Sequence, residues 1–268
     1  MKSILLSLLA LLLTLEVSAQ DYATEQLENS PRHHEWVTME SSGRVLHTFV
    51  AYPERSDNAP VVLVIHENRG LNDWARSFAD QLAAAGYIAV APDLISNTVE
   101  GIQKTSDFKS SDAAREAIYA LDPDMVTTDL LNVLDYARSI DAGDGTVAVA
   151  GFCWGGSQSF RFATNAGDSI DAALVFYGTG PESLEDYQRI EVPVYGFYGG
   201  DDQRVNATIE NSEMMMEEAG NTYDYKIYEG AGHAYMRRGD DPDAPKDDPN
   251  VIARNQSWER LKSILNNL

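Results

Sequence analysis

Short apolar runs that stop at a glycine or a turn, each followed by a stretch of helical periodicity, recur from residue 61 to the end of this chain. That alternation constrains the fold more than any other feature. Runs at 61–66, 87–94, 147–152, 172–177 and 194–198 are almost continuously hydrophobic, as strands are when both faces of their sheet are covered. Between them, 72–85 carries Trp74, Phe78 and Leu82 at helical spacing and stops at Gly86. A second repeat, 127–140, places Leu130, Leu131, Leu134 and Ala137 on one face. Helices are also predicted over 156–166, 207–219 and 249–265, the last announced by Asp248 before Pro249. A further strand is expected at 223–228, and two early strands at 35–40 and 44–52 flank Ser41-Ser42-Gly43. The pattern predicts an α/β fold with a mostly parallel central sheet and helices on both faces. No linker divides it, so 35–268 reads as a single domain, preceded by a polar lead-in over 20–34. The segment 238–250, with five aspartates and three prolines, reads as a solvated loop; it lacks the sharp-turn glycine of a calcium loop.

Residues 1–19 have the pattern of a cleaved export signal. Lys2 is followed by an apolar core from Ile4 to Leu15 and by Val17-Ser18-Ala19, with cleavage expected before Gln20. The apolar stretch is short for a membrane span, and no later run approaches the required ~20 residues. The expectation is therefore an exported protein, periplasmic or secreted, with no membrane attachment after cleavage. Cleavage removes one base, Lys2, and one acid, Glu16, so the formal charge of −22 is unaltered. So negative a surface repels phosphate backbones, which argues against nucleic-acid partners. The only cysteine, Cys153, has no partner for an internal disulfide, and a lone thiol in an exported chain is a candidate reactive group.

Cys153 stands in Gly151-Phe152-Cys153-Trp154-Gly155-Gly156, between a predicted buried strand and a predicted helix. That is the setting of a nucleophile elbow. A residue raised on so sharp a turn has a strained backbone, and its neighbours two positions away must lack side chains. The turn lifts the sulfur above the sheet and places it at a helix N-terminus, where free N–H groups and the dipole favour a thiolate and an oxyanion. A base and an orienting acid should follow in the order acid, then histidine. Asp201 and Asp202 come after the strand at 194–198, and His233 follows the next strand through Gly230-Ala231-Gly232. Of the other histidines, His33, His34 and His47 lie in the early strands. His66 ends a central strand but precedes the cysteine. The loop after that strand, His66-Glu67-Asn68-Arg69-Gly70-Leu71-Asn72, supplies a second oxyanion N–H from Asn68, with Trp154 giving the first. A zinc site at His66-Glu67 is rejected because Gly70 stands where a second histidine is needed.

These segments resemble the dienelactone hydrolase family, a branch of the α/β-hydrolases. The resemblance rests on residues 66–72, Ala-Pro-Asp-Leu at 91–94, the elbow at 151–156, Gly-Gly-Asp-Asp-Gln-Arg-Val at 199–205 and Gly-Ala-Gly-His-Ala-Tyr at 230–235. It implies a triad of Cys153, His233 and Asp202, the spacing to Val205 selecting Asp202 over Asp201. It also implies that Glu67 lies beside the thiol and controls its ionisation. Two arginines are expected to bind a substrate carboxylate: Arg237, and Arg115 in Arg115-Glu116-Ala117-Ile118-Tyr119, with Tyr119 beside it. The expected activity is hydrolysis of small carboxylic esters or lactones through an acyl-enzyme, without metal or organic cofactor, by a monomer or small homo-oligomer. Amide or peptide cleavage on the same triad, or ligand binding without turnover, are the alternatives.

Overall fold

Ser42 and Gly43 both take positive φ (51° and 74°), the geometry of a two-residue turn whose twist suits a hairpin. They join β1 (His33–Ser41) to β2 (Arg44–Tyr52) in a computed structural model that describes residues 22–268. The apolar runs form β3 (Ala59–Ile65), β4 (Ile88–Pro92), β5 (Gly143–Phe152), β6 (Ala172–Phe176) and β7 (Val194–Gly199), and β8 is Tyr223–Tyr228. One eight-stranded sheet results, in the order β1-β2-β4-β3-β5-β6-β7-β8. The first two strands run antiparallel and every pairing from β4 to β8 is parallel. The expected α/β class is what the structure has.

The helices are α1 (22–28), α2 (Asp73–Ala84), α3 (Ser111–Tyr119), α4 (Pro123–Arg138), α5 (Trp154–Ala166) and the short α6 (Leu184–Tyr187) and α7 (Gln203–Asn206). They continue with α8 (Ile209–Ala219), α9 (Tyr235–Arg238) and α10 (Pro249–Leu265). Alternation along β3 feeds two cores. Val62 and Val64 meet Trp74, Phe78 and Leu82 of α2 together with Leu261 of α10. Val61, Leu63 and Ile65 face Leu130 and Leu134 of α4 and Phe160 of α5. Each of these large side chains contributes about 1.5–3 kcal/mol by leaving water.

Three stretches differ from expectation. Within the polar lead-in, α1 is helical and docked: Thr24 Oγ1 donates to Asp73, and Ser30 and Arg32 both bond the buried Asp80. A low-hydrophobicity stretch can dock in this way because its polar groups find charged partners on α2. α3 is not among the expected helices; it buries Ala114 and Ile118, four residues apart, and its start is made by Ser110, which accepts from Ala113 N–H. The segment 238–250 is not simply solvated, because Asp240 is buried and accepts from Trp74 Nε1 at 3.1 Å while pairing with Arg254. The export signal lies outside the described residues. Among those described, no helix is long and apolar enough to cross a membrane.

Candidate active site

β3 lies between β4 and β5, with the chain proceeding to β4 on one side and then crossing to β5 on the other. The crevice beyond the carboxyl ends at such a switch point is where open α/β sheets carry their ligands. Ile65 and Gly151 are paired across it, so the loop after β3 and the turn after β5 face one another.

Cys153 sits on that turn with φ 55° and ψ −113°, a conformation costing a non-glycine residue about 1–3 kcal/mol. Two backbone bonds hold it there: Cys153 N–H donates to Phe176 C=O at 3.0 Å, and Ser157 N–H donates to Cys153 C=O at 3.1 Å. The flanking glycines are steric necessities. A Cβ on Gly151 would lie 1.9 Å from Gly155 O, and one on Gly155 would lie 2.3 Å from both the Ile65 and His66 carbonyl oxygens. Positive φ recurs around the site, at Tyr177 (41°) just past β6 and at Ala234 (59°) just past His233.

The structure brings Cys153, His233 and Asp202 into one line. Cys153 Sγ is 3.0 Å from His233 Nε2, and His233 Nδ1 is 2.5 Å from Asp202 Oδ2. Asp202 is buried and also caps α7 by accepting from Val205 N–H, whereas Asp201 is exposed. Burial alone would lower the pKa of His233, but its bonds to Asp202 and Cys153 prevail and raise it to about 9. Burial likewise opposes ionisation of Asp202; the hydrogen bond and charge of His233 outweigh it, so the carboxyl stays below its ordinary range.

Glu67 is buried, and its carboxylate is held by two partners: Oε2 accepts from Arg237 Nε at 2.9 Å and Oε1 accepts from the Tyr177 hydroxyl at 3.3 Å. The guanidinium is the stronger partner, because it offers an opposite charge as well as a donor. Arg237 therefore reaches the site, already engaged by a carboxylate of the chain. Arg115, half exposed on α3, pairs with Asp112 at 3.2 Å, one turn back along the same helix. Tyr119, also exposed, accepts from Asn68 Nδ2 at 3.1 Å and so stands over the loop after β3. Trp154 opens α5, where first-turn N–H groups have no intrahelical partner.

Tyr177 was missed by sequence reasoning. Fully buried, it packs edge-on against the His233 ring with centroids 5.2 Å apart and donates to Glu67. Burial, chiefly, and the Glu67 charge raise its pKa well above the ordinary value, so it acts as a neutral donor. Its place directly after β6, before Gly178, is the signal that could have found it. Among the described residues, no group of three or more histidine, cysteine or acidic side chains is arranged to hold a metal.

A sequence model of the dienelactone hydrolase family matches residues 46–268. A Saccharolobus solfataricus protein provisionally named a carboxymethylenebutenolidase is 30% identical over 258 residues, covering 84% of this chain and 95% of that protein. The Pseudomonas putida carboxymethylenebutenolidase is 30% identical over 198 residues, covering 71% and 82%. Among solved structures, a Klebsiella pneumoniae protein provisionally named a dienelactone hydrolase superposes with a TM-score of 0.75 at 22% identity, covering 88% of this chain and 99% of that one. A metagenomic dienelactone hydrolase-like promiscuous phosphotriesterase superposes at 0.72 and 23%, covering 88% and 98%. By the family match and the identity over most of both lengths, this chain is a member of the dienelactone hydrolase family of α/β-hydrolases.

Proposed function

We propose that this hydrolase cleaves small carboxylic esters or lactones through an acyl-enzyme on Cys153. The observation that carries the reading is the 3.0 Å contact of Cys153 Sγ with an imidazole itself anchored on Asp202. A histidine that keeps its proton up to about pH 9 donates Nε2–H to the sulfur and stabilises the thiolate. The thiolate attacks the carbonyl carbon, and the oxyanion is received by the N–H groups of Trp154 and Asn68. Collapse breaks the carbon–oxygen bond, and the leaving alkoxide takes the proton from Nε2. Neutral His233 then removes a proton from water, whose oxygen attacks the thioester. The carboxylic acid departs and the ion pair is restored. Asp202 holds the imidazole tautomer throughout.

A carboxylate on the substrate is part of this reading, with Arg237 as its anchor. Because Glu67 already engages Arg237, the incoming anion competes with a charge of the protein. The mechanism is tested by mass spectrometry of the protein quenched during turnover of an activated ester. The expected result is an acyl adduct on Cys153, with Cys153→Ala lowering kcat by several orders of magnitude. A Cys153→Ala enzyme of near-normal kcat would refute the mechanism.

A further inference from the structure

His66 has no place in the reaction as drawn, yet it is wholly buried beneath both halves of the cleft. Its two ring nitrogens are spoken for. Leu94 N–H, just past β4, points at Nε2 at 3.4 Å, which makes that nitrogen the acceptor. Nδ1 must then carry the proton, and it donates to the carbonyl oxygen of Glu67 at 2.8 Å. The ring face is offset-stacked on Trp154, with centroids 5.5 Å apart and planes within 16°. Finally, the His66 carbonyl oxygen closes against Gly155, where a Cβ would lie at 2.3 Å. One residue therefore touches the turn that carries Trp154 and the loop that carries Asn68.

We propose that His66 is the positioning residue of the oxyanion hole, fixing the direction of the Asn68 N–H through its grip on the Glu67 carbonyl and supporting Trp154 through the ring stack. The physical link is the peptide plane. The Glu67-Asn68 peptide is trans, so its C=O and N–H point in opposite directions along one rigid unit. Drawing the carbonyl inward to the buried imidazole turns the following N–H outward, toward the crevice. An N–H that could rotate would make a weaker bond to a developing oxyanion, because such stabilisation depends on donors oriented before the charge forms. Burial keeps the role steady with pH, since it pushes the His66 pKa down to about 4 and leaves the ring neutral. The neighbouring Leu94 N–H removes the remaining freedom, the choice of tautomer.

The inference rests on the acyl-enzyme reading, and the experiment separates the two. Wild-type protein is first assayed for the Cys153 acyl adduct; its absence would dispose of that reading, and this inference with it. Given the adduct, kcat and KM for an activated ester are compared in His66→Asn, His66→Gln and His66→Phe. Asn places an amide N–H close to the position of Nδ1, Gln displaces it by one methylene, and Phe keeps only the ring. The expected result is a kcat at least tenfold below wild type for Phe and Gln, KM within about threefold, and recovery of most of the loss in Asn. If Phe does not fold, the contrast of Asn with Gln carries the test. Asn and Gln that are equally active, equally impaired or altered only in KM would overturn the proposal, since a purely structural residue has no reason to favour the shorter amide.

Discussion

The imidazole of His233 receives opposing influences, and their balance predicts a pH profile. Burial favours the neutral ring, and the Asp202 carboxylate and Cys153 sulfur favour the cation strongly enough to raise its pKa to about 9. A pKa raised on folding contributes stability that is complete below the unfolded value of ~6.5 and is lost as pH rises through about 9. Activity that needs the imidazolium should follow the same limb, so kcat/KM is expected to fall above about pH 9. Asp202→Asn should move that limb to lower pH and reduce kcat by roughly 10²–10⁴, while Asp201→Asn, on an exposed side chain, should stay near wild type. A pH-rate profile of the two variants checks both statements, and a reversed pattern would reassign the acid. Glu67 is the other residue whose charge matters. Glu67→Gln removes the carboxylate charge bonded to Arg237 Nε, so the preference for a carboxylate-bearing lactone over its methyl ester should rise about tenfold. An unaltered ratio of kcat/KM values would mean that Arg237 does not meet the substrate.

At the scale of elements, the site is an intersection of strand ends. β3, β5, β6, β7 and β8 are parallel, so the residues following them, from Glu67 to His233, are delivered to one edge of the sheet. The register is tightest where α5 leaves β5. Gly155 approaches the carbonyls of Ile65 and His66, which brings the helix N-terminus against the loop after β3. Gly155→Ala must push these backbones apart, with overpacking of this kind typically costing 1–3 kcal/mol or more. The expected outcome is a lower Tm accompanied by a fall in kcat, because displacing the helix displaces the Trp154 N–H. Full activity in a destabilised Gly155→Ala protein would show that the two are separable. A second clamp secures the far end of the same loop. Thr105 Oγ1 accepts from Leu71 N–H at 2.9 Å and donates to the buried Asp93 at 2.8 Å, over Gly70, where a Cβ would lie 2.2 Å from the Thr105 hydroxyl.

For the molecule as a whole, the formal charge of −22 sets the long-range field that any anion crosses before it meets Arg237. Ions screen that field over ~8 Å at physiological strength, so association with an anionic substrate should quicken as salt is added. The prediction is that kcat/KM for a carboxylate-bearing lactone rises between low and moderate ionic strength while that for its methyl ester stays flat. Parallel salt responses for the two would show that the field does not control encounter. The same surplus of acid explains why polar anchors are so often carboxylates inside arginine contacts: Asp80 with Arg32, Asp129 with Arg44, and Asp240 with Arg254.

Much was legible in the sequence because local chemistry determines it. Short continuous apolar runs bounded by glycines match strands covered on both faces, and a cysteine flanked by glycines where such a strand meets a helix matches an elbow. Fold class and the candidate site residues Cys153, Asp202 and His233, each in a short local motif, were therefore readable in the sequence. Which carboxylate faces His233 needed either a resemblance or the structure, since Asp201 and Asp202 are adjacent and differ only in which way the loop turns them. Partner choice was beyond local information. Glu67 bonds Arg237, 170 residues away; Arg115 pairs with Asp112; Asp240 is drawn into the core by Trp74 and Arg254. Tyr177 and His66 take their roles from what the sheet sets beside them. A sequence records each group's capacity to bond, whereas competition among distant partners for that capacity is decided only once the chain has closed on itself.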